Sequence, residues 1–293
     1  MPEVRLTHPD KVLFPDDGVT KADVADHYAR VAEVMLPHVR ERPLSLQVFP
    51  GGIGRRGHFL KQIPDYFPDW IARAELPKHG GTVTHMVPTT AASLRMLAQH
   101  NAIAVHVPTA RVDRPERPDR LILDFDPEGD DEWDVIVAAA RSARDRLRDA
   151  GLAVFVMTTG SRGLHVVAPL RRESAYEDVM AMARTLAAVL VAEAPDRLTT
   201  EWSKDKREGR VFVDVLRNRR AHTSVAPWSV RARPGAPVAM PLRDDELSER
   251  IGPRAWALRD VVERLSAGDP WEGFSSAAAS PRAAAVRRGA AAG

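Results

Sequence analysis

The sequence predicts an α+β fold built around a β-α-β-β-α-β unit. Short segments rich in branched apolar residues suit strands, and two longer segments carry apolar residues at helical spacing. Over residues 120–216 these segments follow one another as strand, helix, strand, strand, helix, strand. That order is typical of the split βαβ, or ferredoxin-like, arrangement that RNA-recognition (RRM) domains also use.

Composition narrows the class of protein. The chain has 293 residues, of which 44% are hydrophobic and 28% charged, and it contains no cysteine. The two percentages are typical of a globular protein. The absence of cysteine excludes disulfides, thiolate metal sites and cysteine nucleophiles. The polar N-terminus does not resemble a signal peptide, and no apolar run approaches the roughly 20 residues that cross a bilayer. We therefore expect a cytoplasmic protein without a membrane partner.

Residues 1–110 are predicted to form an N-terminal α/β module. Thr20 can cap a helix that has Asp23 at its third position. The segment GGIGRRG, residues 51–57, has the glycine spacing of a dinucleotide fingerprint, but no helical pattern follows it, so a hairpin connection is expected. The elements predicted in this module are helix 20–40, strand 43–49, helix 89–101 and strand 102–108.

The following residues, 111–273, are predicted to form the catalytic core, so that one domain spans residues 1–273. Its elements are strand 120–126, helix 131–151, strands 152–158 and 164–170, helix 173–195, strand 210–216, and two further helices at 244–252 and 253–268. Residues 274–293 are rich in Ala, Ser, Gly and Arg, with little to bury, and are expected to be a disordered tail.

Two aspartates on the first core strand need a cationic partner. Asp124 and Asp126 are two positions apart, so their side chains share one face of the strand. In the usual ferredoxin-like order this strand is central, between the third and fourth strands, which brings Asp214 beside the pair. The Gly-rich turn TTGSRGLH, residues 158–165, leaves the same end of the sheet.

Three carboxylates beside such a turn predict phosphoryl-transfer chemistry. Carboxylate oxygens suit hard divalent cations, and two such ions can clamp the attacking and leaving oxygens of a transferred phosphoryl group. Glycine-rich turns direct backbone N–H groups at phosphate, and Arg162 adds positive charge. Ser161 and His165 can donate further hydrogen bonds. The pattern therefore predicts a nucleotide-polymerising site.

The motifs resemble a known family. LILDFDP, TTGSRGLHVVAPL and VFVDVLRN are similar to the three motifs of archaeo-eukaryotic primase-polymerases, and more narrowly to those of the polymerase domain of bacterial DNA ligase D. The likeness extends from about residue 4 to residue 272. It implies a primase-polymerase fold and polymerisation at DNA ends in non-homologous end joining. The reaction would use two divalent ions, Mn²⁺ or Mg²⁺, and would incorporate rNTPs or dNTPs.

The resemblance also implies residue roles. Asp124, Asp126 and Asp214 match the catalytic, metal-binding carboxylates. The positions that resemble nucleotide contacts are His106, Thr159, Arg162, Arg207, Arg217 and Arg231, besides Ser161 and His165 from the turn. Lys11 and Lys21 match residues that contact a downstream 5′-phosphate. His58 and Phe59 stand where the family has a Phe-Phe pair that stacks on template bases, and Gln47 and Val48 replace basic residues.

Partners follow from the same resemblance. A stand-alone, monomeric polymerase is expected at the bacterial nucleoid, acting on DNA ends or gapped DNA with a separate ATP-dependent ligase and a Ku-type protein. Two alternatives stay open: a catalytically inactive DNA-end-binding module, and a haloacid-dehalogenase-like phosphatase, whose opening motif also pairs two aspartates. That phosphatase class uses a parallel sheet, and Pro127 and Glu128 stand where it expects Gly-Thr or similar.

Overall fold

The computed structural model describes residues 4–129 and 132–280, and the chain divides into two compact units. The first unit comprises Met1–Asp113, Thr223–Met240 and Trp256–Asp269, and the second comprises Arg114–His222, Pro241–Ala255 and Pro270–Gly293. The sequence predicted a continuous core over 111–273, whereas the chain returns twice to the first unit after residue 222. Hydrophobic packing explains this correction, because Ala226, Trp228 and Val230 belong to the buried core of the first unit.

The described elements are numbered along the chain. The helices are α1 (Lys21–Arg30), α2 (Ala32–Val39), α3 (Ala91–Gln99), α4 (Trp133–Asp149), α5 (Tyr176–Glu193) and α6 (Val261–Ser266). The strands are β1 (Val12–Phe14), β2 (Val19–Thr20), β3 (Ser45–Val48), β4 (His58–Leu60), β5 (Arg73–Lys78), β6 (Gly81–Met86), β7 (Ala102–Val107), β8 (Arg120–Asp126), β9 (Phe155–Thr158), β10 (Leu164–Pro169), β11 (Leu198–Thr199), β12 (Val211–Asp214), β13 (Ser224–Val225) and β14 (Pro241–Leu242). Within residues 4–129 and 132–280, none of the helices is both long enough and apolar enough to cross a membrane.

The first unit contains a four-stranded sheet in the order β13-β7-β3-β4 and two two-stranded sheets, β1-β2 and β5-β6. The predicted cap forms: the Thr20 side chain accepts the N–H of Asp23, and the Asp23 carboxylate accepts the N–H of Thr20. The predicted helix 20–40 is interrupted at Val31, whose ψ of 1° departs from helical geometry. Residues 51–57 connect antiparallel β3 and β4, as expected for a hairpin rather than a dinucleotide-binding turn.

The second unit has one six-stranded sheet in the order β11-β12-β8-β10-β9-β14. Its central strand β8 is antiparallel to both neighbours, β10 and β12, so the predicted ferredoxin-like order is confirmed. Helices α4 and α5 pack against this sheet. Side chains alternate along β8: Leu121, Leu123 and Phe125 are fully buried, while Asp124 and Asp126 lie on the opposite face. One face therefore anchors the helices and the other carries the carboxylates.

The C-terminal predictions need correction. Predicted helix 244–252 is only a 3₁₀ turn at Asp244–Glu246, and predicted helix 253–268 shortens to a 3₁₀ turn followed by α6. Residues 274–280 belong to the fold, because Phe274 stacks on Trp271 with ring centroids 5.2 Å apart and Ala279 bridges to Leu170. Burial of these aromatic rings explains why the expected tail does not begin at 274. The rest of that tail, residues 281–293, lies outside the described residues.

Candidate active site

Strand register brings the predicted carboxylates together. Asp214 of β12 is paired directly with Asp124 of β8, and His165 of β10 is paired with Asp124 on the other side. Paired residues of antiparallel strands point to the same face, so these three side chains form a row across three strands. Asp126 lies on the same face, two residues further along β8. The sheet thus gathers acidic groups that are 90 positions apart in the chain.

Arg217 joins the two paired aspartates. Its Nε lies 3.1 Å from Asp124 Oδ2, and its Nη2 lies 3.3 Å from Asp214 Oδ2. The backbone N–H of Leu216 donates to Asp214 Oδ1 at 2.7 Å, and His165 Nε2 lies 3.4 Å from Asp124 Oδ2. Burial of two adjacent carboxylates is costly without such partners, so Arg217 supplies the compensating charge.

Asp126 is more open and has looser cationic neighbours. Its side chain is 38% exposed, against 10% for Asp124 and 5% for Asp214. Arg162 Nη2 lies 3.8 Å from Asp126 Oδ1, and Arg207 Nη1 lies 3.6 Å from Asp126 Oδ2. Both distances exceed hydrogen-bond length. These guanidinium groups therefore stand beside Asp126 without saturating its oxygens.

The three carboxyl groups differ in acidity. Burial raises the pKa of Asp124, but His165 and Arg217 outweigh that effect, and its pKa lies at about 2. Burial, together with the Asp124 carboxylate, raises the pKa of Asp126. Burial also raises the pKa of Asp214, although Arg217 acts against it. The cluster consequently holds one strongly anionic carboxylate and two that further positive charge would help to ionise.

The turn between β9 and β10 closes one side of this cluster. The Thr159 hydroxyl accepts the N–H groups of Ser161 at 3.3 Å and Gly163 at 3.2 Å. Arg162 donates to the carbonyl of Glu128 at 3.1 Å, which holds its side chain near Asp126. Gly163 is required here, because a Cβ at this position would lie 2.0 Å from the carbonyl oxygen of Phe125. The predicted turn residues and carboxylates thus lie together in the second unit.

The carboxylates fit a divalent cation chemically. Their oxygens are the hard donors that Mg²⁺ and Mn²⁺ prefer. Two of these carboxylates, Asp124 and Asp214, already share one cationic group, the guanidinium of Arg217. Among the residues that the structure describes, no three His, Cys, Asp or Glu side chains converge in a geometry that could hold a metal ion. Arg217 stands between Asp124 and Asp214 in this arrangement. The metal role of the three aspartates stays a prediction.

Comparison with known proteins identifies the family. The family model described as "LigD, primase-polymerase domain" matches residues 20–271. The chain belongs to this family. It is 34% identical over 266 residues to the multifunctional non-homologous end joining protein LigD of Mycolicibacterium smegmatis, covering 89% of this chain and 34% of that protein. It is 32% identical over 275 residues to the LigD protein of Pseudomonas aeruginosa, covering 93% and 33%.

The fold agrees with a solved member of the LigD family. The polymerase domain from Mycobacterium tuberculosis ligase D, in complex with DNA, matches with a TM-score of 0.89 and 35% identity, covering 94% of this chain and 99% of that one. The α+β primase-polymerase fold expected from the motifs is therefore confirmed. The chain spans about a third of the length of the curated LigD relatives that it matches.

The other predicted LigD-type contacts lie in the first unit. Phe59 of β4 is 57% exposed and meets His106 of β7 edge-on, with ring centroids 5.4 Å apart. His58 is exposed beside it. Strand β3, which carries Gln47, pairs with both β4 and β7 and so holds these rings in one sheet. The structure thus brings Phe59, one member of the predicted base-stacking pair, into contact with His106, a predicted nucleotide contact.

The two lysines predicted to contact a 5′-phosphate are already engaged. Lys21 is 3% exposed, and its Nζ donates to the carbonyl of Thr7 at 2.7 Å. Burial and the nearby Lys11 lower the pKa of Lys21. Lys11 donates to the carbonyl of Pro50. Arg231, the remaining predicted nucleotide contact, is half-buried in the same unit. Binding of a phosphate by Lys21 would need its bond to Thr7 to open.

Sequence reasoning missed two residues near the carboxylates. Arg254 donates from Nε to the carbonyl of Ser161 at 2.7 Å and so supports the turn. Trp202 lies 65% exposed and meets Phe212 edge-on, with ring centroids 6.1 Å apart. Neither residue belongs to a recognisable motif. The sequence offered no signal for Arg254, and the only one for Trp202 was a bulky aromatic residue within a basic segment.

Proposed function

We propose that this protein is a DNA-directed nucleotidyltransferase that extends DNA ends or fills gaps with rNTPs or dNTPs during non-homologous end joining. The observation that supports this most strongly is the row of His165, Asp124 and Asp214, with Asp126 on the same face. Three guanidinium groups from three segments surround it. Such a site combines ligands for divalent cations with positive charge for a triphosphate.

Each group has a proposed role in primer extension. Asp124, Asp126 and Asp214 would hold two divalent ions, Mn²⁺ or Mg²⁺, which supply charge stabilisation at the attacking 3′-hydroxyl and the leaving pyrophosphate. Arg162 and Arg207 would neutralise the triphosphate, since neither forms a close ion pair with Asp126. The proposed further nucleotide contacts are His106, Thr159, Ser161, His165, Arg217 and Arg231, and the proposed DNA contacts are Lys11, Lys21, His58 and Phe59.

The cellular setting is proposed from the relatives. Proteins named for non-homologous end joining match this chain over about nine-tenths of its length, and the matched solved domain is bound to DNA. We therefore infer that the protein acts as a monomer on DNA ends or gaps in the bacterial cytoplasm, at the nucleoid. Sealing of the extended strand calls for an ATP-dependent ligase, and end capture calls for a Ku-type partner.

The test is extension of a primer across a short DNA gap with each nucleotide type and each metal. Asp214→Asn should lower the rate more than about 100-fold, because even residues that only support a metal ligand contribute roughly 10- to 100-fold. The matched control is Asp134→Asn, which removes the same charge from an exposed carboxylate on α4 and should leave the rate within about twofold. A fully active Asp214→Asn variant would refute the three-carboxylate site.

The same assay separates the alternatives. An inactive end-binding module would bind gapped DNA but incorporate no nucleotide in the wild-type protein. The phosphatase alternative requires a parallel sheet around the first aspartate, whereas β8 is antiparallel to both of its neighbours. The structure therefore rejects that alternative.

A further inference from the structure

We infer that Trp202 stacks on a nucleobase of the nucleic-acid substrate, beside the carboxylate cluster. The inference rests on the proposed function, since that function supplies a base-bearing ligand. Trp202 lies between β11 and β12, in a part of the chain that no motif covers. Its role would be to position a strand, not to take part in the chemistry.

The exposure of Trp202 is the first observation. A tryptophan side chain normally buries most of its large apolar surface, yet Trp202 is 65% exposed. Its ring meets Phe212 edge-on at 79°, with centroids 6.1 Å apart. A perpendicular contact of this kind, at this exposure, leaves an indole face in solvent. A planar ring of a ligand can stack there.

The backbone that carries Trp202 is held in place. The carbonyl of Trp202 accepts from Arg207 Nη2 at 3.1 Å, and the carbonyl of Glu201 accepts from Arg207 Nε at 3.2 Å. The N–H of Ser203 donates to the Glu201 carboxylate at 3.1 Å. Hydrogen bonds on both sides of Trp202 make this segment a preorganised support, which lowers the entropy cost of binding.

Trp202 is coupled to the carboxylates through shared neighbours. The guanidinium of Arg207 lies 4.1 Å above the ring of Phe212, the same ring that Trp202 contacts. Arg207 also stands 3.6 Å from Asp126. A base stacked on Trp202 would therefore lie next to the residues proposed to carry out nucleotidyl transfer.

The positive charges in the adjacent 3₁₀ turn indicate whether the stacked base belongs to the DNA strand or to the nucleoside triphosphate. Lys204 and Lys206 are exposed in the 3₁₀ turn that follows Trp202. An aromatic platform followed by cations is the combination that binds single-stranded nucleic acid, in which bases stack and phosphates meet the cations. We therefore assign the stacked base to the DNA strand rather than to the free nucleoside triphosphate.

The first measurement is binding of a labelled, single-stranded oligothymidylate by fluorescence anisotropy, without metal or nucleotide. Trp202→Ala should raise Kd by about 5- to 150-fold, the range expected for loss of one base–aromatic stack. Trp202→Phe keeps an aromatic face and should stay within about threefold of wild type. Val262→Ala, which trims another exposed apolar side chain, should leave Kd unchanged.

Intrinsic fluorescence identifies the ligand directly. The emission lost in Trp202→Phe belongs to Trp202, so the difference between the two proteins reports on this residue alone. Unlabelled oligothymidylate should quench that emission, and UTP should not. Quenching by UTP alone would overturn the assignment of the stacked base to the DNA strand. Quenching by neither ligand, with an unchanged Kd for Trp202→Ala, would overturn the inference.

Further measurements separate failure of the stacking inference from failure of the proposed function. A positioning role predicts that Trp202→Ala raises KM for gapped DNA while kcat stays within about twofold. If the wild-type protein binds oligothymidylate through Trp202 but incorporates no nucleotide, the proposed function fails and the stacking inference survives. If the wild-type protein polymerises and Trp202→Ala binds and extends DNA normally, only the stacking inference fails.

Discussion

At the scale of single residues, the candidate active site depends on buried carboxylates whose negative charge is compensated by an arginine. Asp124 and Asp214 are paired across adjacent strands, and Arg217 contacts both. Removal of one member of such a group leaves charge that the remaining members cannot compensate. Because the site is proposed to bind divalent cations, Arg217 and a metal ion would stabilise the same two carboxylates by the same electrostatic effect.

This relation predicts the behaviour of Arg217→Ala. The variant should lose about 1–2 kcal/mol of unfolding free energy without metal, a value discounted because 36% of the Arg217 side chain is exposed. Mn²⁺ should then raise the melting temperature more in the variant than in the wild type. Arg197→Ala, which breaks an exposed pair with Asp134, should change stability by less than about 0.5 kcal/mol. Equal stability of wild type and Arg217→Ala without metal would contradict the account.

At the scale of elements, the site depends on close contact between strands and a turn. Gly163 begins the approach of β10 to β8, and no side chain fits between its Cα and the carbonyl of Phe125. The Thr159 hydroxyl fixes the same turn through two backbone N–H groups. The position of Arg162 beside Asp126 therefore depends on a glycine, since a Cβ would push β10 away from β8.

Gly163→Ala tests this contact. The added methyl group should destabilise the protein by about 1–3 kcal/mol or more, as overpacking does, and should lower the proposed polymerase activity by displacing the turn. Gly252→Ala is the matched control, because a Cβ there meets nothing within 4 Å. Thermal denaturation and primer extension measure the two effects. Wild-type stability of Gly163→Ala would show that the strands have room to separate.

Helix α1 contains a buried histidine that should make the stability of the protein depend on pH. His27 is buried, and its Nε2 lies 2.8 Å from the carbonyl of Trp228. Burial lowers the pKa of His27 to about 4, whereas an unfolded chain has a histidine pKa near 6.5. Between these values the unfolded chain binds a proton that the folded protein does not. Stability should therefore fall as pH is lowered from about 6.5 to about 4.

His27→Gln should reduce this acid sensitivity. Glutamine can keep a donor to the Trp228 carbonyl but does not titrate. His27 should account for about 2 kcal/mol of the stability that the wild type loses between pH 7 and pH 5, and the variant should lose correspondingly less. Urea denaturation at both pH values measures this. Identical losses in the two proteins would mean that His27 does not titrate differently in the folded and unfolded states.

At the scale of the whole molecule, the chain builds two units by returning to the first one twice. His106 and Arg231 belong to the first unit, and Arg162, Arg207 and Arg217 belong to the second. The net charge of the full sequence is only +2, with a pI of about 9.1. The proposed binding to DNA would therefore depend on local clusters of cations and not on overall charge.

Affinity for gapped DNA should consequently depend strongly on salt. If roughly four phosphates are neutralised, Kd should rise about 100-fold between 50 and 200 mM monovalent salt. Replacement of Lys204 and Lys206 with Gln should flatten this dependence, while Lys78→Gln, on exposed β5, should leave it unchanged. Titrations at several salt concentrations give the slope. A slope near zero would rule out binding through the phosphate backbone.

Much of the site could be predicted from sequence because its pattern is local. Alternation along β8 placed Asp124 and Asp126 on one face, and the order of elements placed Asp214 beside them, as the register shows. The capping box at Thr20 was equally local. Predictions failed where tertiary packing decides. Residues 244–268 have helical spacing but form only two short 3₁₀ turns and helix α6. Hairpin β5-β6 carries charged and proline residues that hide its strand pattern.

The sequence by itself determined strands β8, β9, β10 and β12, the face that carries the carboxylates and the family, since side-chain alternation and contiguous motifs depend only on neighbouring residues. Only the tertiary structure decided that Arg217 joins Asp124 to Asp214, that Trp202 stays exposed, and that residues 223–240 pack in the first unit. These features depend on which distant segments meet. That outcome is set by the packing of the whole chain and not by any local pattern.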